Sequence, residues 1–206
     1  MSYFPFFADI ENADVLVVGG GRVALRKVER LLPYGPRITV AACSFCPELL
    51  GMDEIVRVKA AFAQEMVEGR DAVIAATDDA QVNERIYALC KLRRIPVNVV
   101  DDKEKCSFLF PSLVKRGALS IGISTGGASP SAAVYLKERI EEILPERIGE
   151  ILAFLEMARP MIRQSFRSES ERTARNKELF LRCLAAGGPL TEEELRTFCG
   201  ESADGK

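Results

Sequence analysis

A glycine-rich turn near the start of the chain constrains the fold more than any other feature. Residues 15 to 18 read VLVV, and three consecutive glycines, Gly19 to Gly21, follow them directly. The next residues, RVALRKVERLL, place apolar side chains at helical spacing. A buried strand, a tight turn and a helix in this order are typical of the first unit of a dinucleotide-binding sheet.

Each small residue of the pattern G-x-G-x-x-A has a physical task. Gly19 permits the tight turn, and Gly21 lets the backbone approach a pyrophosphate. Ala24 allows the helix to pack closely on the strand. A helix that begins near Arg22 directs free N–H groups and the positive end of its dipole toward the phosphates. The sequence therefore predicts a dinucleotide site at this turn.

The choice between NAD and NADP is less well specified. Dinucleotide sites usually carry an acidic residue about 20 positions after the glycines, where it binds the ribose hydroxyls. Here the second predicted strand, residues 37 to 42, is followed by Cys43 and Ser44 instead.

Composition excludes several classes of function. The 206 residues include 28 basic and 30 acidic side chains, so the small net charge of -2 makes nucleic acid an unexpected partner. No apolar run approaches the ~20 residues of a membrane span, and the start of the chain lacks a signal peptide pattern, so we expect a cytoplasmic protein. Histidine is absent. Proton transfer must therefore fall to carboxylates, lysines or tyrosines.

Six cysteines are scattered along the chain, and a disulfide framework is not expected. Cys43 and Cys46 form a C-x-x-C pattern, which suits a redox pair or half of a metal site. No second pair accompanies them, so the sequence predicts no metal site.

Strand and helix signals alternate as far as residue 100. The predicted strands after the first are residues 38–42, 56–62, 71–77 and 97–100, and a helix is predicted over residues 78–95, with Asp78 and Asp79 at its N-terminus. This alternation predicts an α/β fold with a Rossmann-like parallel sheet.

Beyond residue 101 the pattern changes. Successive strands are predicted from residue 107 to residue 127, with Lys115, Arg116 and Gly117 as a hairpin turn between them. From Ser129 onward the chain reads as helices.

Two groups of residues in this region suit chemistry, although each also has a purely structural interpretation. Asp101 and Asp102 follow a strand at the sheet edge where ligands of open α/β folds bind, but paired aspartates are also common loop groups. Ser129 and Pro130 follow a glycine-rich loop and fit a helix N-terminus, where an anion could bind or where the serine simply caps the helix.

Four motifs occur in order: GGGRVALRKVERLL, AATDDAQVN, NVVDD with SFLFPSLVKRG, and STGGASP. Together they resemble the precorrin-2 dehydrogenase family, the dehydrogenase and ferrochelatase part of siroheme synthases, from Phe4 to about Ala153. The resemblance implies NAD-dependent oxidation of precorrin-2 to sirohydrochlorin, with Fe²⁺ insertion to siroheme in some members. It also implies a homodimer built from an NAD-binding domain (residues 1–112), a dimerisation segment (113–146) and a helical C-terminal domain (147–206).

The resemblance also implies roles for particular residues. Those expected to bind NAD are Gly19, Gly21, Arg22, Val23, Cys43, Ser44, Thr77 and Asp78. Asp101 is expected to be the catalytic carboxylate, and Lys115, Arg116 and Ser129 to bind a tetrapyrrole rich in carboxylates. Ser129 also matches a serine that is modified by phosphate in some relatives.

Two other functions fit the first domain. A dinucleotide-sensing regulatory module would use the same turn without catalysis, although it would not explain NVVDD or STGGASP. A dehydrogenase of another small acidic substrate would be favoured by a pocket that is sized for that substrate and lacks basic residues.

Overall fold

The computed structural model describes residues 3–200, which form two compact units. The first unit covers residues 4–110 and the second begins at Pro111.

A five-stranded parallel sheet forms the centre of the first unit, in the order β3-β2-β1-β4-β5. Its strands are β1 (Asp14–Val18), β2 (Arg37–Ala41), β3 (Ile55–Val58), β4 (Ala72–Ala75) and β5 (Val97–Val99). The helices of this unit are α1 (Arg22–Leu31), α2 (Pro47–Leu50) and α3 (Ala80–Arg93). The predicted Rossmann-like sheet is confirmed.

The strand order reverses at the centre of the sheet. The chain leaves β1 toward β2 on one side, and it later returns to place β4 on the other side of β1. Ligands of open α/β sheets bind beyond the carboxyl ends of the strands at such a reversal. The glycine turn follows β1 at this position.

Alternating residues of β1 supply two hydrophobic layers. Val15 and Val17 pack in the layer that contains α1, and Leu16 and Val18 pack in the layer that contains α3. All four side chains are almost fully buried. Burial of each stabilises the sheet by about 1.5–3 kcal/mol, which explains why this strand is apolar on both faces.

The third strand differs from the prediction. It was expected over residues 56–62, but it runs from Ile55 to Val58. It pairs with β2 alone, and Val58 lies opposite Ala41, the last residue of β2. Among the residues that the structure describes, no strand lies opposite residues 59–62, so they leave the sheet.

The second unit begins with an antiparallel hairpin, β6 (Ser112–Arg116) and β7 (Leu119–Ile123). The predicted turn at Lys115, Arg116 and Gly117 is wrong in register, because Lys115 and Arg116 belong to β6 and pair with Ser120 and Leu119. The turn is formed instead by Gly117 and Ala118, and the φ of +56° at Gly117 suits glycine.

The strand predicted from residue 107 also starts later than expected. Phe108 and Phe110 pack against the α1 layer of the first unit rather than extending the hairpin. Pro111 has no N–H to donate to a ladder, and β6 begins directly after it at Ser112.

In the described part of the second unit the hairpin is followed by four helices: α4 (Pro130–Ile143), α5 (Ile148–Ser165), α6 (Glu169–Ala185) and α7 (Glu192–Phe198). Buried residues of the last three form one core. Ser168 caps α6, and Thr191 forms a capping box with Glu194 at the start of α7. These caps satisfy N–H groups that a helix start leaves without partners.

Candidate functional site

The three glycines of the turn have different surroundings. A Cβ atom on Gly19 would lie 2.2 Å from the carbonyl oxygen of Ala76, and its φ is +125°. A Cβ atom on Gly20 would lie 1.9 Å from the carbonyl oxygen of Ser44. Nothing lies within 4 Å of the corresponding position on Gly21. The first two glycines therefore allow loops to pack together, whereas Gly21 leaves open space of the kind that a pyrophosphate needs.

The requirement for glycine at position 20 was not predicted. The motif treats that position as variable, and its close neighbour Ser44 is distant in sequence. The glycine triplet itself was the available signal.

Helix α1 begins at Arg22, as predicted, and its first turn favours an anion. Gly21 is the N-cap residue and supplies no side-chain cap, and the first turn contains no acidic residue. The Arg22 side chain is exposed and has no hydrogen bond or ion pair with the residues the structure describes. Val23 is half-buried, and Ala24 is fully buried against the sheet. The N–H groups and the guanidinium together fit a phosphate group.

Cys43 and Ser44 follow β2 and are exposed beside the glycine turn. The backbone N–H of Cys46 donates to the carbonyl oxygen of Gly20 over 2.7 Å, which ties this loop to the turn. Within residues 3–200, no cluster of three or more His, Cys, Asp or Glu side chains could hold a metal ion.

Thr77 and Asp78 follow β4. The Thr77 hydroxyl donates to Oδ1 of Asn83 over 2.8 Å, and the Asn83 amide donates to the carbonyl oxygen of Thr77 over 2.9 Å. Asp79 caps α3 by accepting from the N–H groups of Gln81 and Val82, at 2.8 and 3.2 Å. The side chain of Thr77 therefore holds the loop, and Asp78 is exposed at its tip.

Asp101 follows β5 in a turn and is exposed, with a φ of +60°. The turn is anchored to the neighbouring strand, because the N–H of Val100 donates to the carbonyl oxygen of Ala75 over 2.9 Å. The adjacent Asp102 differs, since it forms an ion pair with Lys105 at 2.8 Å. The hydrogen bond from Lys105 lowers the pKa of the Asp102 carboxyl. Of the two aspartates, only Asp101 presents its carboxylate outward without an ion pair.

A polar network links β5, the strand that precedes Asp101, to helix α1, and it was not predicted from the sequence. Asn98 of β5 is only 4% exposed, between Val97 and Val99, which pack on the α3 side. Its Oδ1 accepts from Nζ of Lys27 in α1 over 3.2 Å. Its amide donates to the carbonyl oxygen of Phe108 over 3.0 Å. The available signal was a single asparagine inside an otherwise apolar strand.

The Lys27 ammonium also lies 4.0 Å from the centroid of the Phe110 ring. Burial lowers the pKa of Lys27 to about 8, and the nearby positive charges of Arg30 and Arg26 lower it as well. The negative charge of Asp101 acts in the opposite direction.

The predicted substrate residues belong to the second unit. Arg116 forms an ion pair with Glu141 of α4 at 3.1 Å. Ser129 caps α4, because its Oγ accepts from the N–H of Ala132 over 3.1 Å. The Ser129 N–H donates to Oγ1 of Thr125 over 3.2 Å. Lys115 is half-buried in β6.

A parallel sheet with a central reversal, a glycine turn and an uncapped helix start define a dinucleotide-binding protein of the Rossmann-like class. The chain matches the family described as putative NAD(P)-binding over residues 6–112, and it belongs to that family. Residues 116–143 match a second family, the central region of sirohaem biosynthesis proteins. NAD is thus the cofactor that this class of fold and turn supports.

Siroheme synthases among the relatives agree with the motif resemblance. The chain is 38% identical over 183 residues to a siroheme synthase of Mannheimia succiniciproducens, covering 87% of this chain and 38% of that protein. It is 43% identical over 159 residues to the siroheme synthase of Thioalkalivibrio sulfidiphilus, covering 76% of this chain and 32% of that protein. The chain therefore spans about a third of the length of these relatives.

A solved structure of SirC, a precorrin-2 dehydrogenase, superimposes with a TM-score of 0.69 at 26% identity. The match covers 97% of this chain and 98% of SirC. The resemblance to the precorrin-2 dehydrogenase family is confirmed. Among the described helices, none combines the length and the apolar character that crossing a membrane requires.

Proposed function

We propose that this protein oxidises precorrin-2 to sirohydrochlorin with NAD as the hydride acceptor, in siroheme biosynthesis. The observation that carries the proposal is the match to SirC over nearly the full length of both chains. The siroheme synthases among its relatives support the same pathway.

NAD binding is assigned to the loops that follow β1, β2 and β4. The open space at Gly21, the first turn of α1 and the Arg22 guanidinium would hold the pyrophosphate. The exposed residues Cys43, Ser44 and Asp78, together with Val23, would line the remainder of the cofactor. When bound, NAD supplies the electrophilic carbon that takes the hydride from the macrocycle.

Asp101 is the proposed catalytic base. Loss of a hydride from precorrin-2 must be accompanied by loss of a proton, and the chain has no histidine to accept it. Asp101 offers an exposed carboxylate at the carboxyl end of β5, in a turn fixed to β4 by the hydrogen bond from Val100. A fixed turn suits a base, since proton transfer depends on position as well as on pKa.

Tetrapyrrole binding is assigned to Lys115, Arg116 and Ser129. Precorrin-2 carries several carboxylates, which match basic side chains and a helix N-terminus. The ion pair between Arg116 and Glu141 is partly exposed, and such pairs contribute only about 0–1 kcal/mol. A substrate carboxylate can therefore replace Glu141 as the partner of Arg116 at little cost.

A homodimer formed through residues 113–146 is also part of the proposal. A two-stranded sheet such as β6 and β7 is marginally stable alone and gains from further packing. Helix α4 exposes several large apolar side chains, namely Val134, Tyr135, Leu136 and Ile143. Leu136 and Ile143 lie seven residues apart and therefore share one face of the helix, and an exposed apolar helix face favours burial against a partner.

The deciding experiment mixes the purified protein with precorrin-2 and NAD under anaerobic conditions and follows NADH absorbance. Formation of NADH together with sirohydrochlorin is expected, and a reaction without protein serves as the control for uncatalysed oxidation. Absence of NADH would favour a dinucleotide-sensing module or a dehydrogenase of another acid. Iron insertion remains a prediction, and siroheme formation from sirohydrochlorin and Fe²⁺ against a no-enzyme control measures it.

A further inference from the structure

We propose that Lys27 is a positioning residue for the oxidation, and that its charge and its hydrogen bond to Asn98 hold the turn that carries Asp101. This inference rests on the proposed role of Asp101. Nothing in the glycine motif itself requires a lysine at position 27, which lies in the second turn of α1.

The first argument is geometric. Asn98 occupies a strand position whose neighbours are apolar and buried, so its side chain must find its partners inside the protein. Lys27 supplies the donor for Oδ1, which directs the Asn98 amide toward Phe108 O at 3.0 Å and Cys106 Sγ at 3.4 Å. The segment that returns after Asp101 is thereby attached to β5.

Cys106 completes the attachment on the other side of the turn. Its thiol lies 3.2 Å from the carbonyl oxygens of Val99 and Asp102, and it lies 3.3 Å from the N–H of Val99. The Cys106 thiol and the Asn98 amide therefore hold together the two ends of the loop that contains Asp101. Removal of the Lys27 ammonium leaves Oδ1 of Asn98 without its donor, and the amide is then free to reorient.

The second argument is electrostatic. Lys27 has no carboxylate within ion-pair distance among residues 3–200, and it faces the Phe110 ring. The charged groups that act on it are Arg26 and Arg30 on its own helix and Asp101 on the segment after β5, where burial raises the pKa of the Cys106 thiol and favours its neutral form. The negative charge of Asp101 raises the pKa of Lys27, so Lys27 interacts with the Asp101 turn electrostatically as well as through the hydrogen bond to Asn98.

These arguments predict a pH profile. Burial places the pKa of Lys27 near 8, so kcat should fall as pH rises through that value and the ammonium loses its proton. Stability changes in the opposite direction over the same range. The unfolded chain holds the Lys27 proton up to a pKa of 10.5 and the folded chain does not, so the free energy of unfolding gains a contribution as pH rises. The titration of Lys27 therefore does not itself destabilise the fold over this range, and circular dichroism at each pH checks that the protein stays folded while kcat falls.

The test compares Lys27→Met, Lys27→Arg and the matched control Lys91→Met, an exposed lysine of α3 outside the proposed site. Lys27→Met should lower kcat about tenfold or more at pH 7 and should lack the alkaline decline, with a KM for NAD within about twofold of the wild-type value. Lys27→Arg should retain activity and move the decline to higher pH, because a guanidinium keeps its charge. Lys91→Met should match the wild type.

A second measurement does not depend on turnover. The ¹³Cε signal of Lys27, followed by NMR against pH in the protein without ligands, should titrate near 8, and Asp101→Asn should lower that midpoint. Wild-type kcat or an unchanged alkaline decline in Lys27→Met would overturn the inference, as would a midpoint that Asp101→Asn leaves in place. If Asp101→Asn retains full turnover, the proposed role of Asp101 fails instead, whatever Lys27→Met shows.

Discussion

Gly20→Ala should destabilise the fold, whereas Gly21→Ala should leave the fold stable and weaken NAD binding. A Cβ atom on Gly20 would lie 1.9 Å from the carbonyl oxygen of Ser44 and 2.9 Å from Cβ of Ala42, whereas ordinary contacts begin at 3.4 Å. The obstacle is backbone of the neighbouring loop, so it cannot rotate aside. Because overpacking of this kind costs about 1–3 kcal/mol and occasionally more, we expect Gly20→Ala to lose about 3 kcal/mol of unfolding free energy.

Gly21→Ala meets no such obstacle. Nothing lies within 4 Å of the added methyl group, and the φ of -89° is accessible to every residue. A weaker N-cap and a less flexible unfolded chain roughly cancel, so stability should stay within about 1 kcal/mol of the wild-type value. The methyl group would occupy the space assigned to the pyrophosphate. A Kd for NAD at least about tenfold higher is expected, which corresponds to ~1.4 kcal/mol.

Urea unfolding measures the first quantity and calorimetric titration with NAD the second, with Gly51→Ala as a control. Gly51 has a φ of -84°, and its Cβ position makes only ordinary contacts, at 3.7 Å or more. Equal destabilisation of Gly20→Ala and Gly21→Ala would refute the distinction between a packing glycine and a binding glycine. So would wild-type affinity for NAD in Gly21→Ala.

Four further outcomes are expected. Asp101→Asn should lower kcat at least about 100-fold while the KM for NAD is unchanged, as measured by NADH absorbance, because it removes the proposed base. Asp79→Ala should cost about 1 kcal/mol in urea unfolding, because two N–H groups of α3 lose their acceptor. Saturating NAD should slow the reaction of Cys43 with a thiol reagent, and an unchanged rate would contradict its place beside the cofactor. The hydrogen bond from Arg37 lowers the pKa of Asp14 below its ordinary value of 3.8. The free energy of unfolding should therefore decrease as the pH is lowered below 3.8, and acid unfolding of Asp14→Asn should show a weaker dependence on pH.

The fold of the first unit could be predicted because its signals are local. An apolar run, a glycine triplet and an amphipathic segment each determine structure within a few residues, and their order determines a parallel sheet. The end of β3 could not be predicted in this way. Val58 ends the strand because its partner Ala41 ends β2, and that pairing depends on register across the sheet. The apolar pattern of residues 56–62 does not indicate where the partner strand ends.

The hairpin turn was misplaced for a related reason. Lys115, Arg116 and Gly117 have the composition of a turn, but Gly117 alone adopts a positive φ, and the two basic residues pair within the ladder. Composition locates a turn to within a few residues, whereas the residue with φ above zero fixes the register.

The motif residues differ in what their side chains do, and this difference limits what a motif can establish. The hydroxyls of Thr77 and Ser129 are both engaged in holding their own loops, through Asn83 and the first turn of α4. Arg22 and Asp101, by contrast, present charged groups that have no ion pair within residues 3–200. A sequence motif does not distinguish these four residues, because a site needs residues that shape it as well as residues that contact the ligand. The hydrogen-bond partners seen in the structure distinguish the two kinds of residue. Mutational tests of binding and catalysis should therefore begin with Arg22 and Asp101.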